Sequence, residues 1–191
     1  MQDPEKKMNK EKLSVKWKLI ALAVAAAVVL LDRLTKAIAV AALREVGNSA
    51  TAIPGVLDFT YVLNNGATAG MLSNHRWVFM VASTVVIIGI TLFVALGKVK
   101  NKFTVITLAM IVGGGVGNMI DRVFEGSVVD FIDVTLVNFF PLNTVFNVAD
   151  VFVCIGCIML AISVIVDEVK EYKRKKAAKA AQAPEGGGGD E

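Results

Sequence analysis

Histidine and cysteine are nearly missing from this chain: one histidine, His75, and two cysteines, Cys154 and Cys157, serve 191 residues. A Ser-His or Cys-His nucleophile pair and a histidine-rich metal site therefore lack their raw material. A disulfide scaffold is excluded on the same count. The two cysteines form C-x-x-C inside a long apolar run with no second pair, so they read as buried packing rather than as a redox or zinc motif. No Gly-x-Ser-x-Gly elbow occurs, and no repeat of solenoid type. Charge is also scarce, at 19% of residues against 55% hydrophobic, with mean hydropathy +0.62. A soluble domain carries roughly a quarter of its residues charged. A disordered chain needs low hydrophobicity and high net charge, and the net charge here is only +3.

What is present is a set of long charge-free runs. Thirteen residues separate Lys18 from Asp32, twenty-one run from Trp77 to Gly97, and eighteen run from Phe103 to Ile120. From Val134 to Val166 the only charge is Asp150. A spanning helix needs about 20 mostly apolar residues, and four segments fit: 15–37, 77–97, 103–121 and 146–167. Soluble helices keep a polar face on a 3.6-residue period, and the second segment has none. The expected fold class is an all-α membrane protein of four transmembrane helices with a small extracytoplasmic β platform. The first segment resembles a secretory signal peptide, but Asp32, Arg33 and Lys36 precede any cleavage site, so it is read as retained.

Orientation follows from the basic residues. Six lysines in 1–18, three in 98–102 and six basic residues in 170–179 make fifteen of the twenty. All lie on one side of a four-span arrangement, which makes that side, and both termini, cytoplasmic. The pI near 8.9 is thus topological, with some attraction to anionic lipid, and needs no nucleic acid. The two outer connections, 38–76 and 122–145, contain IPGVLDFTYVLNNG and SVVDFIDVTLV, which read as strands and turns. Residues 1–176 form one domain, and the Gly- and Ala-rich tail 177–191 is expected to be disordered.

The informative residues are the polar ones that a bilayer excludes, each a functional candidate by default. Measured from the inner end of each helix, Asp32, Asp121 and Asp150 lie about 22, 28 and 25 Å along it. In a hydrocarbon core about 30 Å thick they meet at one level in the outer third. Asn118 and Asp121, and Asn147 and Asp150, are three apart and so share a helix face. Asp32 and Lys36, and Asn118 and Arg122, are four apart. Gly113, Gly114, Gly115 and Gly117 let another helix approach just below Asn118. Outside the helices, Asp130 sits in VVDF, and Asn64 and Gly66 form a tight polar turn. With histidine and serine motifs missing, carboxylate chemistry is what is left. Two aspartates sharing one proton can hydrolyse a peptide, one drawing a proton from water while the other hydrogen-bonds the carbonyl. Depth alone favours Asp121 as much as Asp130 for that pair.

Five motifs then resemble one family. DRLTK at 32–36, NNGATAG at 64–70, GNMIDR at 117–122, GSVVDF at 126–131 and FNVAD at 146–150 occur in the order found in bacterial lipoprotein signal peptidases (signal peptidase II), integral-membrane aspartyl proteases. The resemblance implies a catalytic dyad at Asp130 and Asp150. It implies site-lining or supporting roles for Asn64, Gly66, Asn118 and Asn147, structural ties at Asp121 and Arg122, and support from Asp32 and Lys36. It implies no metal and no cofactor, and a prolipoprotein signal peptide with a diacylglyceryl-cysteine as partner beside membrane lipid. The enzyme is expected as a monomer in the bacterial cytoplasmic (inner) membrane, its active site near the outer face. Arg33 and Thr68-Ala69 depart from the family's usual residues. The rival readings are a small proton- or cation-coupled transporter, which would place its acids nearer the midplane, and an inactive scaffold of the same fold.

Overall fold

The computed structural model describes residues 14–66, 76–99, 101–135 and 145–181. Among these residues four helices and four strands alternate in blocks. Helix α1 spans Val15–Leu43 and is followed by β1 (Ser49–Ile53) and β2 (Leu57–Asn64). Then come α2 (Arg76–Ala95), α3 (Lys102–Phe124), β3 (Val128–Asp133), β4 (Val145–Phe146) and α4 (Val148–Ala181). The molecule is mostly helical with one small antiparallel sheet, as the apolar runs and the β-rich connections predict.

Among the described residues two helices are long and apolar enough by themselves to cross a membrane: α3, and α4 over Val148–Lys176. The apolar stretch of α2 is shorter, Met80–Ala95. Helix α1 has 29 residues, but Asp32, Arg33 and Lys36 interrupt its C-terminal half. The outward faces of the bundle are apolar, with Leu22, Leu30, Val85 and Ile158 among the exposed side chains.

Helix α3 is the hub, with α1 and α4 packed along it and α2 more lightly. Its glycines make that possible. A Cβ on Gly113 would lie 2.7 Å from the Ala25 carbonyl oxygen of α1, and one on Gly114 would lie 2.5 Å from the Ala149 carbonyl oxygen of α4. Both contacts are with backbone, so any side chain there would force the helices apart. On α4 the packed stripe is Ala149, Val153, Gly156, Leu160 and Ser163, a spacing of alternating four and three residues that keeps one seam against α3. Cys154 and Cys157 flank that seam and are exposed on the outer face. The expectation that they are buried is corrected by the phase of the helix, which gives the inward position to Gly156.

Two boundaries also differ from expectation. Helix α4 starts at Val148 rather than 146, because Val145 and Phe146 pair with Asp133 and Ile132 as β4. It also continues to Ala181, five residues into the expected tail, through an alanine- and lysine-rich stretch of high helix propensity. The rest of the tail lies outside the described residues.

The sheet has the order β1-β2-β3-β4, every pair antiparallel. Pro54 and Gly55 turn β1 into β2, Gly55 adopting φ +71°. The β2–β3 register slips between Phe59 and Val62 and then sets Val62 opposite Asp130. Phe131 packs near Phe59, ring centroids 6.3 Å apart. Because strand side chains alternate, Asp130 leaves the opposite face, toward the helices.

Candidate active site

Asn147 is the N-cap of α4, and its amide is the centre of the site. Its Oδ1 accepts from the backbone N–H of Asp150 at 3.0 Å, while the Asp150 carboxylate accepts from the backbone N–H of Asn147 at 3.3 Å. This is a reciprocal capping box, and the three-residue spacing of FNVAD belongs to it. The expectation that Asn147 and Asp150 share a helix face is thereby corrected: Asn147 stands just outside the helix and folds back onto it. Its Nδ2 donates to Asp130 Oδ1 at 2.6 Å and to Asn118 Oδ1 at 3.0 Å. One residue thus ties the strand aspartate to the helix aspartate, through its side-chain Nδ2 on one side and its backbone N–H on the other.

The other amides complete the cradle. Asn118 Nδ2 donates to Asp150 Oδ1 at 2.7 Å, and Asn64 Nδ2 donates to Asp130 Oδ2 at 2.9 Å. Gly66 N–H in turn donates to Asn64 Oδ1 at 3.0 Å, which fixes the orientation of the Asn64 amide. The remaining residues of NNGATAG, including Thr68 and Ala69, lie outside the described residues, as does His75.

Beneath the cradle is a buried charge cluster. Lys36 Nζ lies 2.8 Å from Asp32 Oδ2, 2.6 Å from Asp121 Oδ2 and 2.9 Å from Asn118 Oδ1. All three of its donors are used, and the side chain is 2% exposed. Asp32 Oδ1 accepts from the Ala149 N–H at 2.9 Å, so it supplies a further cap to α4 from α1. Gly117 leaves room for this carboxylate, since a Cβ there would lie 2.7 Å from Asp32 Oδ2. The three helix acids do converge, through Lys36 and Asn118.

Asp121 and Arg122 part company. Asp121 ties α1 to α3 through Lys36 and Arg33, and its Oδ2 also accepts weakly from Val129 N–H of β3 at 3.4 Å. Arg122 instead bonds its own helix, at the Asn118 carbonyl oxygen 3.2 Å away, and turns toward Asp150. The expected structural role fits Asp121 by contact. Arg33 was legible only as a departure from a pattern, yet it pairs with Asp121 and with Glu125, the latter at 3.2 Å. Nothing local in the sequence marks those partners, which are 88 and 92 residues away.

A hollow of about 340 Å³ opens between α2, α3 and α4 beside the cradle. Ser83, Val86, Ile111, Asn118, Arg122 and Asp150 line it, so one wall is apolar and the other carries the polar groups. Among the described residues no three His, Cys, Asp or Glu side chains are grouped as metal ligands would be.

Burial pushes the Asp130 carboxyl up to about 6, and the neighbouring negative charge of Asp150 adds to the rise. Hydrogen bonds from Asn64 and Asn147 and the charge of Lys36 pull the other way without cancelling it. A folded-state value above the ordinary 3.8 means that folding favours the protonated form. The associated stability is therefore full below pH 4 and is lost as pH rises through about 6. Thermal melts in detergent should show wild type losing stability relative to Asp130→Asn between pH 4 and 6. Parallel pH dependences of the two proteins would contradict this.

Known proteins are similar to this chain over the segment that carries these residues. Residues 24–166 match the model of the family described as Signal peptidase (SPase) II. A lipoprotein signal peptidase of Brevibacillus brevis is 40% identical over 148 residues, covering 77% of this chain and 95% of that protein. One from Caldanaerobacter subterraneus is 45% identical over 142 residues, covering 74% and 92%. A solved bacterial membrane enzyme superposes with TM-score 0.70 at 34% identity, over 78% of this chain and 89% of its own. The transporter reading gains no support from these relatives. Sequence and fold agree over the segment that carries all the residues of the cradle, and the chain belongs to the signal peptidase II family of aspartic-type peptidases.

Proposed function

We propose that Asp130 and Asp150 are the catalytic pair of this lipoprotein signal peptidase. We further propose that it cleaves prolipoproteins just before a diacylglyceryl-modified cysteine. The observation that carries the assignment is Asn147, whose side-chain Nδ2 donates to the Asp130 carboxylate while its backbone N–H donates to the Asp150 carboxylate, with Asp150 facing the hollow. Two carboxylates held this way share one proton. In this reading Asp130, whose carboxyl burial pushes up to about 6, holds that proton and donates to the scissile carbonyl oxygen. Asp150 takes a proton from water as the water oxygen bonds to the carbonyl carbon. When the tetrahedral intermediate collapses, the C–N bond breaks and a carboxyl proton passes to the leaving amine. Arg122, beside the hollow, supplies positive charge where negative charge develops.

The substrate is itself an apolar helix, and the hollow between α2 and α4 gives it a lateral seat while its acyl chains stay in lipid. Four membrane spans with both termini cytoplasmic fit the lysine distribution, and put the dyad near the outer face of the bacterial inner membrane. In this reading the chain acts as a monomer, needs no cofactor and binds no nucleic acid.

The full-length protein in detergent should cleave a diacylglyceryl-modified lipobox peptide and leave its unmodified form intact. Equal cleavage of both would overturn the lipid requirement. Cleavage at any bond other than the one before the cysteine would overturn the assigned specificity.

A further inference from the structure

At the end of the bundle away from the dyad, α1 and α2 both pack on α3 but barely touch each other. Between them runs a groove of about 200 Å³. Its floor is Val105, Leu108, Ala109 and Val112 of α3. Its walls include Ala21 and Leu22 on one side and Ile90 and Val94 on the other. The lining from Lys18 to Ala25 follows about 10 Å of helix. Thr91, whose hydroxyl bonds its own helix at the Ile87 carbonyl oxygen, is the polar side chain along the groove, and Lys18 is the charged one at its mouth. There Lys18 Nζ donates to the Ala95 carbonyl oxygen at 2.7 Å, at the carboxyl end of α2.

Two more lysines lie nearby in the chain. Lys98 follows Ala95 by three residues, and Lys102 Nζ sits 5.1 Å from the ring centroid of Trp17, the residue next to Lys18. No described carboxylate pairs with Lys18, Lys98 or Lys102. Lys18 spends one of its three donors on Ala95, which fixes the ammonium at the mouth and leaves two donors for another acceptor. An apolar groove with a fixed ammonium at its entrance, further lysines close by and an indole next to it in the chain has the chemistry of a phospholipid site.

We propose that this groove binds one acyl chain of an anionic phospholipid whose phosphate is held by Lys18, with Lys98 and Lys102 adding attraction. The site is separate from the catalytic cradle. It would wedge α1 and α2 at a fixed spacing on α3 at the cytoplasmic end.

Native mass spectrometry of the full chain, after delipidation and addition of phosphatidylglycerol or phosphatidylcholine, tests the proposal. One phosphatidylglycerol should be retained in preference to phosphatidylcholine. Lys18→Gln should weaken its retention about fivefold, the effect of removing one cation near a lipid surface. Thr91→Trp, which fills the groove from an exposed position on α2, should abolish retention without touching any lysine. The dyad lies far from both substitutions, so peptide cleavage in detergent should persist and report an intact fold. Equal retention of both lipids, or retention unchanged in both variants, would overturn the proposal. So would inorganic phosphate competing as well as phosphatidylglycerol, which would reduce the site to an ion contact.

Discussion

Asp130→Asn and Asp150→Asn should each lower cleavage of the diacylglyceryl peptide by at least about a thousandfold, within the range lost when an acid–base group is removed. The substitutions are isosteric, and each amide keeps an oxygen to accept one of the bonds that Asn64, Asn118 and Asn147 donate. Stability should therefore survive better than activity, and a melt in detergent separates the two. Asp121→Asn is the necessary contrast. Asp121 is a buried carboxyl group like those of the pair, but it bonds Arg33 and Lys36 and not Asn147. Its loss should cost stability more than turnover. The pH profile supplies a second signature. If Asp130 holds the shared proton, kcat/KM of wild type should fall as pH rises through about 6. Turnover left intact in either dyad variant would remove the assignment.

The second large effect concerns Lys36. Lys36→Met keeps the volume and deletes the charge that faces Asp32 and Asp121. Asp121 retains Arg33, but Asp32 is left with only the Ala149 N–H. Breaking a buried pair from one side costs about 3–5 kcal/mol, because a charge remains buried without compensation. A matching drop in detergent stability is expected. Adding Asp32→Asn to Lys36→Met should recover part of that loss, since the amide oxygen can still accept from Ala149. Activity should not recover with it. Lys36 also fixes Asn118, whose other amide face holds Asp150. Letting that amide turn should cost about a hundredfold in rate, as small misplacements in a site do. A double variant as unstable as the single one would show that charge compensation is not what Lys36 provides.

Which parts of this were legible in the sequence follows from what each signal measures. Charge-free runs report helix interiors, so the helices were evident, and β-branched runs reported the strands around Asp130. Helix ends were less visible. Residues 145–146 carry no charge, and only their pairing with β3 takes them out of α4. The spacing of Asn147 and Asp150 fits both a shared helix face and a capping box, and only the backbone of Asn147 decides between them. Depth could place Asp32, Asp121 and Asp150 at one level but could not choose between Asp121 and Asp130. That choice depends on where β3 turns its side chains, and it took family motifs to make it in advance. Arg33 was opaque for a different reason, since its partners are set by the packing of α1 on α3. The cysteines were misjudged because hydropathy does not give helix phase.

The capping box at the head of α4 has an evolutionary consequence. In the proposed mechanism the side chains of Asn147 and Asp150 that start this helix also position and form the catalytic pair, so substitutions there are filtered twice. A population exposed to an inhibitor seated on the dyad has little freedom to escape at those two positions, because each change also frays the helix that carries them. Resistance is expected to arise instead across the hollow, at Ser83 or Val86, where α2 faces the polar wall and takes no part in the cap.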